Sequence, residues 1–470
     1  MLRYLPLIVL LTVWVGSAAG QAASRPDSVY FTSGIKIGEV SDTGAVLLVR
    51  LTRYPRPRPI VHERRAPPYR APLDFDGTMP VAEMDGHVAG APGEVKIVLS
   101  TPGHADSLDW AYVSPLHDYL LKHRFTDLRP ESNYRVSIHG RSAPDGPVTV
   151  LSASFTTAPP ADRAAPVTFV ASSCQYFWDY DDPVRGFKSY DAMARLDPDF
   201  MCQTGDYVYY DKGGPLSYDA ATARHKWGAI NAWPSLVAFY ARVPLYLQKD
   251  DHDLLSDDAS PHSPPYGKIT YADGLEIWRE QAPLTGRPYR RTRWGKDLEI
   301  WFLEVREYRS ASDAPDGPDK TILGLAQKRW LESTLATSDA SFKLIMSPTP
   351  IIGPDRESKR DNHANRSFSY EGRWLRELLA GHDNVIVVNG DRHWQYVSRD
   401  AATGLLEVSM GAISDAHADG WPPGERRPEH EFLRVGGGFL SVEVKREAGE
   451  PRITFRHHDV EGGVVHVVGF

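Results

Sequence analysis

Four times between Val167 and His393, a short run of apolar, β-forming residues stops abruptly in a cluster of glycine, hydroxyl and ionisable side chains. Val167-Thr-Phe-Val-Ala-Ser172 runs into Ser173-Cys174-Gln175, and Phe200 to Gln203 runs into Gly205-Asp-Tyr-Val-Tyr209. Val243-Pro-Leu-Tyr-Leu247 leads to Asp250-Asp-His-Asp253, and Val385-Ile-Val-Val-Asn389 leads to Gly390-Asp-Arg-His393. Apolar runs without alternation read as strands buried on both faces. Helical stretches between them, such as Ser189 to Leu196, make the layer architecture α/β. In open sheets of that kind the strand exits converge on one edge and build the ligand site. One such loop is ordinary; four at equivalent positions predict a site.

Further strands are predicted at Leu298 to Leu303 and Phe342 to Met346, and amphipathic helices at Ala326 to Thr337 and Tyr370 to Ala380. Phe439 to Phe470 returns to strand-like alternation and is expected to complete the sheets. Ahead of this region, from about Val29 to Pro159, short alternating strands such as Ala45 to Arg50, Val95 to Leu99 and Tyr134 to Ile138 predict an antiparallel β-sandwich. Leu128-Arg-Pro-Glu-Ser-Asn-Tyr134 resembles the tyrosine-corner segment of fibronectin type III-like domains. Pro55 to Pro72 reads as a long proline- and arginine-rich loop, and Thr156 to Pro166 as the linker that ends the sandwich. The expected organisation is a leader over 1–23, a β-sandwich over 24–160 and an α/β domain over 167–470.

The leader is read from one positive charge, Arg3, an apolar run from Ile8 to Gly16 and a small-residue exit, with cleavage between Ala19 and Ala23. The run is short for a membrane span. The chain is therefore expected to be exported to the periplasm or outside the cell, with no membrane attachment after cleavage. Two cysteines, Cys174 and Cys202, are too few for a disulfide scaffold, so the core must carry stability. A formal net charge of −8 argues against a stable nucleic-acid complex, which needs a basic face.

Carboxylates, imidazole, phenolate and thiolate gathered at strand exits suit metal ions better than simple acid–base work. So many anionic groups repel one another unless cations sit between them. Two adjacent metals can share a bridging carboxylate and clamp a phosphate for in-line displacement; Asp206 is the candidate bridge.

These clusters resemble the PhoD-like alkaline phosphatases, a branch of the calcineurin-like metallophosphoesterase fold. The matching segments are Ser173-Cys174, Gly205 to Tyr209, Asp250 to Asp253, Leu323-Gly324 with Gln327 and Trp330-Leu331, and Gly390 to His393, in the family's order. The resemblance implies a two-sheet αββα sandwich and hydrolysis of phosphomonoesters or phosphodiesters by hydroxide that the metals activate. It also implies Fe3+ with Ca2+. Carried over residue by residue, it places metal ligands at Cys174, Asp206, Tyr209, Asp251, Asp391 and His393, with His252 as the catalytic histidine beside Asp251. Cys174 has the alternative of a disulfide with Cys202, and Tyr209 that of an aromatic packed beneath the sheet.

Two positions depart from the family pattern. Asp257 stands where relatives usually have Asn and is expected as a further ligand; Glu304 stands for Asp in Leu303-Glu-Val-Arg306 and is expected to affect loop anchoring. His363, on the polar segment Lys359 to Asn365, is a candidate ligand or proton donor. Arg185 and Arg392 are candidates to stabilise charge on phosphate oxygens. His225, His457 and His458 read as structural. Two other functions fit the same residues: a sulfatase or phosphonate-ester hydrolase, and a catalytically silent binding protein.

Overall fold

The computed structural model describes residues 27–66, 70–422 and 424–470; the expected leader lies outside them. Two sheets face each other. One has nine strands, in the spatial order Val464–Gly469, Glu450–Asp459, Gly438–Glu447, Val167–Ser172, Phe200–Gln203, Leu245–Leu247, Ile35–Gly38, Ala45–Arg50 and Leu120–Phe125. The other has seven, in the order Arg290–Trp294, Leu298–Phe302, Phe342–Ser347, Val385–Asn389, Leu406–Met410, Gln395–Arg399 and His430–Arg434. The C-terminal residues supply three strands of the nine-stranded sheet, as their alternation predicts.

The central strands are apolar throughout because both of their faces are covered. Phe200 and Cys202 belong to the core between the sheets, whereas Met201 belongs to the layer beneath the helices. Ile300 and Phe302 likewise face the inter-sheet core, and Trp301 faces the opposite helical layer. Phe200 stacks on Phe169 with ring centroids 4.8 Å apart; truncating such a ring to alanine costs about 3–5 kcal/mol. The helices Lys188–Ala194, Ala220–Asn231, Pro234–Tyr240 and Tyr271–Gln281 flank the nine-stranded sheet, and Gly324–Ala336 and Ser369–Ala380 flank the seven-stranded one. The result is the αββα sandwich expected from the strand–helix alternation. Helix starts are locally encoded: Thr270 and Asp273 form a capping box, and Asp219 accepts from the Thr222 N–H at 2.9 Å.

The N-terminal strands do form a sandwich. Its second face is the four-stranded sheet of His104–Val113, Gly93–Thr101, Asn133–Arg141 and Thr149–Thr156, and Leu47, Val49, Val95, Ile97 and Val136 fill the interior. Buried Tyr134 accepts a hydrogen bond from the Arg129 N–H, five residues upstream, at 2.8 Å, which is the predicted tyrosine corner. The first face, however, is the end of the nine-stranded sheet, because Gly38 pairs in parallel with Leu245. The linker at 156–166 thus joins two parts that share a sheet.

Candidate metal centre

Each strand exit turns sharply, and the turns are what aim the ligands. Cys174, Asp206 and Asp391 all adopt left-handed backbone conformations, with φ of 55°, 54° and 61°. Non-glycine residues held there cost about 1–3 kcal/mol each and cluster at functional sites. Gly205 cannot be replaced, since a Cβ would lie 2.5 Å from the Asp250 N atom on the neighbouring exit. Gly390 is equally hemmed, with Thr204 Oγ1 2.1 Å from where its Cβ would be. Three strand exits are thereby pressed against one another.

Asp253 ties two of these loops together: its carboxylate accepts from Asp206 N at 2.8 Å, Asp250 N at 3.0 Å and Val208 N at 2.9 Å. In the seven-stranded sheet, the exit of Leu298–Phe302, Leu303 to Glu307, is anchored by Gln327, which accepts from Glu304 N and donates to Glu304 O, both at 2.8 Å. The Glu304 side chain accepts from Arg306 N at 2.7 Å and Glu307 N at 2.9 Å. Glu304 is thus a turn anchor, as expected.

The ligand candidates converge on Asp206. Donor atoms of Cys174, Asp206 and His393 lie within 4.8 Å of one another, as do those of Asp206, Asp251 and His252, and those of Asp206, Asp250 and Asp391. Asp206 belongs to all three groups, the position a bridge requires. The Tyr209 hydroxyl donates to Asp206 Oδ2 at 3.0 Å, and Cys174 Sγ lies 3.4 Å from the same oxygen. Both cysteines are free and buried, so the alternative of a Cys174–Cys202 disulfide is absent; Cys202 packs in the inter-sheet core.

The electrostatics show what this donor set lacks. Buried Asp206 Oδ1, Asp250 Oδ2, Asp251 Oδ1 and Asp361 Oδ2 accept no hydrogen bond. Burial, reinforced by neighbouring carboxylates, pushes Asp206, Asp250 and Asp391 above the ordinary carboxylate range. Burial, then Asp206 and Asp391, push the Cys174 thiol up, and burial, then Asp206 and Cys174, push up Tyr209. A cation among these groups reverses that balance, because it stabilises their anionic forms. The residues present therefore fit metal ions.

Several partners were not singled out from sequence. Arg306, fully buried, pairs with Asp250 through Nε and lies 3.5 Å from Asp251 and 3.7 Å from Asp361. Burial opposes ionisation of Asp251, but Arg306, His252 and Lys359 outweigh it and hold the carboxyl at about 2. His417 Nε2 lies 2.8 Å from the Tyr209 hydroxyl, its Nδ1 lies 2.6 Å from Asp179, and its ring stands 4.2 Å from that of His393. Asp211 accepts from His252 Nδ1 at 2.7 Å, and Asp419 from His393 Nδ1 at 2.9 Å. Such partners fix the tautomer and ring orientation of a histidine beside a metal.

Three expectations differ from the structure. His363 stays out of the cluster: its Nε2 lies 3.0 Å from Glu371 Oε1, with both side chains fully buried away from the centre. The reason is that Glu371, on Ser369–Ala380, which also gathers the Ile322 and Leu323 N–H groups, offers the imidazole a buried carboxylate partner. Asp257, by contrast, stays beside the cluster: its side chain is 65% exposed and accepts from Lys359 Nζ at 2.9 Å, and its carboxylate lies within 4.8 Å of donor atoms of Asp251 and Asp258. Arg392 is buried and committed to Asp355 at 2.9 Å and Asp391 at 2.8 Å, and Arg185 pairs with Asp191. Neither arginine is free for a phosphate. His225, by contrast, stacks on His87 outside the cluster, as its structural reading expects.

Fold and site together define a two-sheet metallophosphoesterase-like protein. The PhoD-like phosphatase family model matches residues 169–427, and the chain belongs to that family. Alkaline phosphatase D of Bacillus subtilis is 23% identical over 294 residues, covering 51% of this chain and 48% of that one. The chain thus spans about half the length of the curated relative it matches. Among solved structures, one described as PhoD superposes with a TM-score of 0.69 at 17% identity, covering 94% of this chain and 90% of the other. The purple acid phosphatase PPD1 from yellow lupin seeds superposes with a TM-score of 0.64 at 10% identity, covering 94% and 74%. Both superpositions extend over the sandwich as well as the αββα region.

Proposed function

We propose that the protein is an exported, metal-dependent phosphoesterase that hydrolyses phosphomonoesters, phosphodiesters or both at the Asp206 centre. The observation that carries this reading is the set of buried carboxylate oxygens without hydrogen bonds around Asp206, within a chain of the PhoD-like family. Cys174, Asp206, Tyr209 and His393 would hold one ion, and Asp206, Asp250 or Asp251, and Asp391 the other. Thiolate and phenolate favour a trivalent iron, and an all-carboxylate set favours calcium. Bound, the pair would supply the Lewis acidity that activates water and neutralises a phosphate in flight.

The protein's own residues supply the rest. Burial opposes a charge on His252, yet Asp211, Asp251 and Asp206 outweigh it and push its pKa up. With Nδ1 committed to Asp211, Nε2 of His252 is the nitrogen that would donate to the leaving-group oxygen. Arg306, paired with Asp250 and 3.5 Å from Asp251, offsets the repulsion between these two carboxylates.

Metal analysis of the purified protein, run beside turnover of matched phosphomonoester, phosphodiester and sulfate ester substrates, tests the reading. The expected result is two metals per chain and preference for phosphate. Rapid sulfate-ester turnover would favour the sulfatase alternative, and a metal-free, inactive protein would favour the binding protein. Iron bound by Tyr209 predicts a coloured protein whose visible band is bleached or shifted in Tyr209→Phe; a colourless protein lacking iron contradicts that assignment.

A further inference from the structure

A phosphate arriving at this centre needs a cation to meet its outer oxygens, and two of the buried arginines beside it already pair with carboxylates. Arg306 lies among Asp250, Asp251 and Asp361, and Arg392 among Asp355, Asp361 and Asp391. Lys212 is spread over the Tyr209 ring, 4.1 Å from its centroid, and reaches His417 Nε2 at 3.4 Å. Lys359 is differently placed. Its Nζ donates to Asp257 Oδ1 at 2.9 Å and Asp258 Oδ1 at 3.2 Å, and its side chain is 17% exposed. Donor oxygens of Asp257 and Asp258 lie within 4.8 Å of that of Asp251, which lies within 4.8 Å of that of Asp206. The ammonium therefore hangs at the rim of the centre, joined through Asp257 and Asp258 to Asp251 and through Asp251 to Asp206.

We propose that Lys359 is a substrate-binding residue that grips the phosphate at the rim, and that Asp257 holds its ammonium in place until substrate arrives. This rests on the phosphoesterase reading above. A solvated partner makes the exchange favourable. The Asp257 side chain is 65% exposed, and an ion pair to such a group adds little stability. A phosphate dianion offers more charge and stronger charge-assisted hydrogen bonds. Burial works against the charge on Lys359, but Asp361, Asp391, Asp258 and Asp257 raise its pKa. Asp257 has a second effect, since its own charge repels the incoming anion. The carboxylate read from sequence as a metal ligand becomes, in this arrangement, a competitor of the substrate for Lys359.

The test is a double-mutant cycle on the metal-loaded enzyme, read by inorganic phosphate binding in calorimetry and by KM and kcat separately. Lys359→Ala is expected to weaken phosphate about 10- to 100-fold, to raise KM more than it lowers kcat, and to penalise a monoester dianion more than a diester. Lys359→Arg should restore most of the binding. Asp257→Asn should tighten phosphate a few-fold in the wild-type background and clearly less in the Lys359→Ala background, where only the relief of its direct repulsion remains, with metal content intact in every variant. Unchanged phosphate binding in Lys359→Ala, or loss of metal in Asp257→Asn, overturns the proposal while leaving the phosphoesterase reading standing. A metal-loaded wild type that binds no phosphate and hydrolyses no ester overturns both.

Discussion

Asp206 and Glu371 are both buried carboxylates, and the protein treats them in opposite ways. Glu371 is saturated by its own chain: it accepts from Ile322 N at 2.9 Å, Leu323 N at 3.0 Å and Thr321 Oγ1, and lies against His363 at 3.0 Å and Lys328 at 3.1 Å. Burial opposes its ionisation, but the hydrogen bond and charge of His363, with Thr321 and Leu323, hold it well below the ordinary range. Asp206 keeps one oxygen without a partner, and burial lifts its pKa above the ordinary range. A satisfied buried carboxylate is part of the scaffold. One left unsatisfied among others like it is completed by something the chain does not contain.

The sharpest way to break this comparison is to neutralise each carboxylate in turn. Asp206→Asn should lose bound metal and at least about 1,000-fold in kcat/KM, because the bridge serves both ions. A raised folded pKa means that an ionised Asp206 destabilises the metal-free protein above its unfolded value. The stripped variant should therefore melt no lower than the stripped wild type. Metal content near two per chain with near-normal turnover would remove Asp206 from the centre.

Glu371→Gln should do the reverse, costing about 3–5 kcal/mol of stability while the folded fraction keeps its metal. The sign follows from the depressed pKa. The stability Glu371 contributes is complete above its unfolded value of 4.5 and is lost as pH falls below it. Urea titrations at pH 7 and pH 3.5 should show the penalty shrinking at the lower pH; a penalty independent of pH would mean that shape, and not charge, is what Glu371 supplies.

His363→Phe is the next smaller test. It removes one partner of Glu371 and should cost about 1–3 kcal/mol, with turnover of the folded enzyme within a few-fold of wild type. A fall of 100-fold or more at normal metal content would return His363 to the chemistry. Cys202→Ser should be the mildest: a modest packing loss with metal content and any visible band unaltered, whereas loss of metal would tie the inter-sheet core to the centre.

The same contrast governs what could be read from residues alone. Strands such as Val167–Ser172, Phe200–Gln203 and Val385–Asn389 were legible because both faces are buried and their ends are marked by glycine and carboxylate. Ala220–Asn231 was not, because His225, Lys226, Trp227 and Asn231 are all buried and no apolar stripe repeats along it. Gln395–Arg399 buries Gln395 and Ser398 and lacks the signal of a core strand. The ligand loops could be placed from their local pattern. Arg306, Asp361, Glu371 and His417 act across long stretches of chain, so what occupies each side chain becomes visible only in three dimensions. His363 shows the cost: its sequence neighbourhood is polar and its spatial partner is Glu371. The union of the N-terminal sandwich with the main sheet is also invisible in sequence, since it runs through the single pairing of Gly38 with Leu245.

The most direct test of the account is the melting temperature of chelator-stripped protein titrated with calcium and ferric ions, for the wild type and Asp206→Asn side by side. Ligand that binds only the folded state at 100 times its Kd adds about 2.7 kcal/mol. The wild type should show a clear, saturable rise and Asp206→Asn none. A wild type whose melting temperature ignores the ions, or two proteins that rise equally, would contradict it.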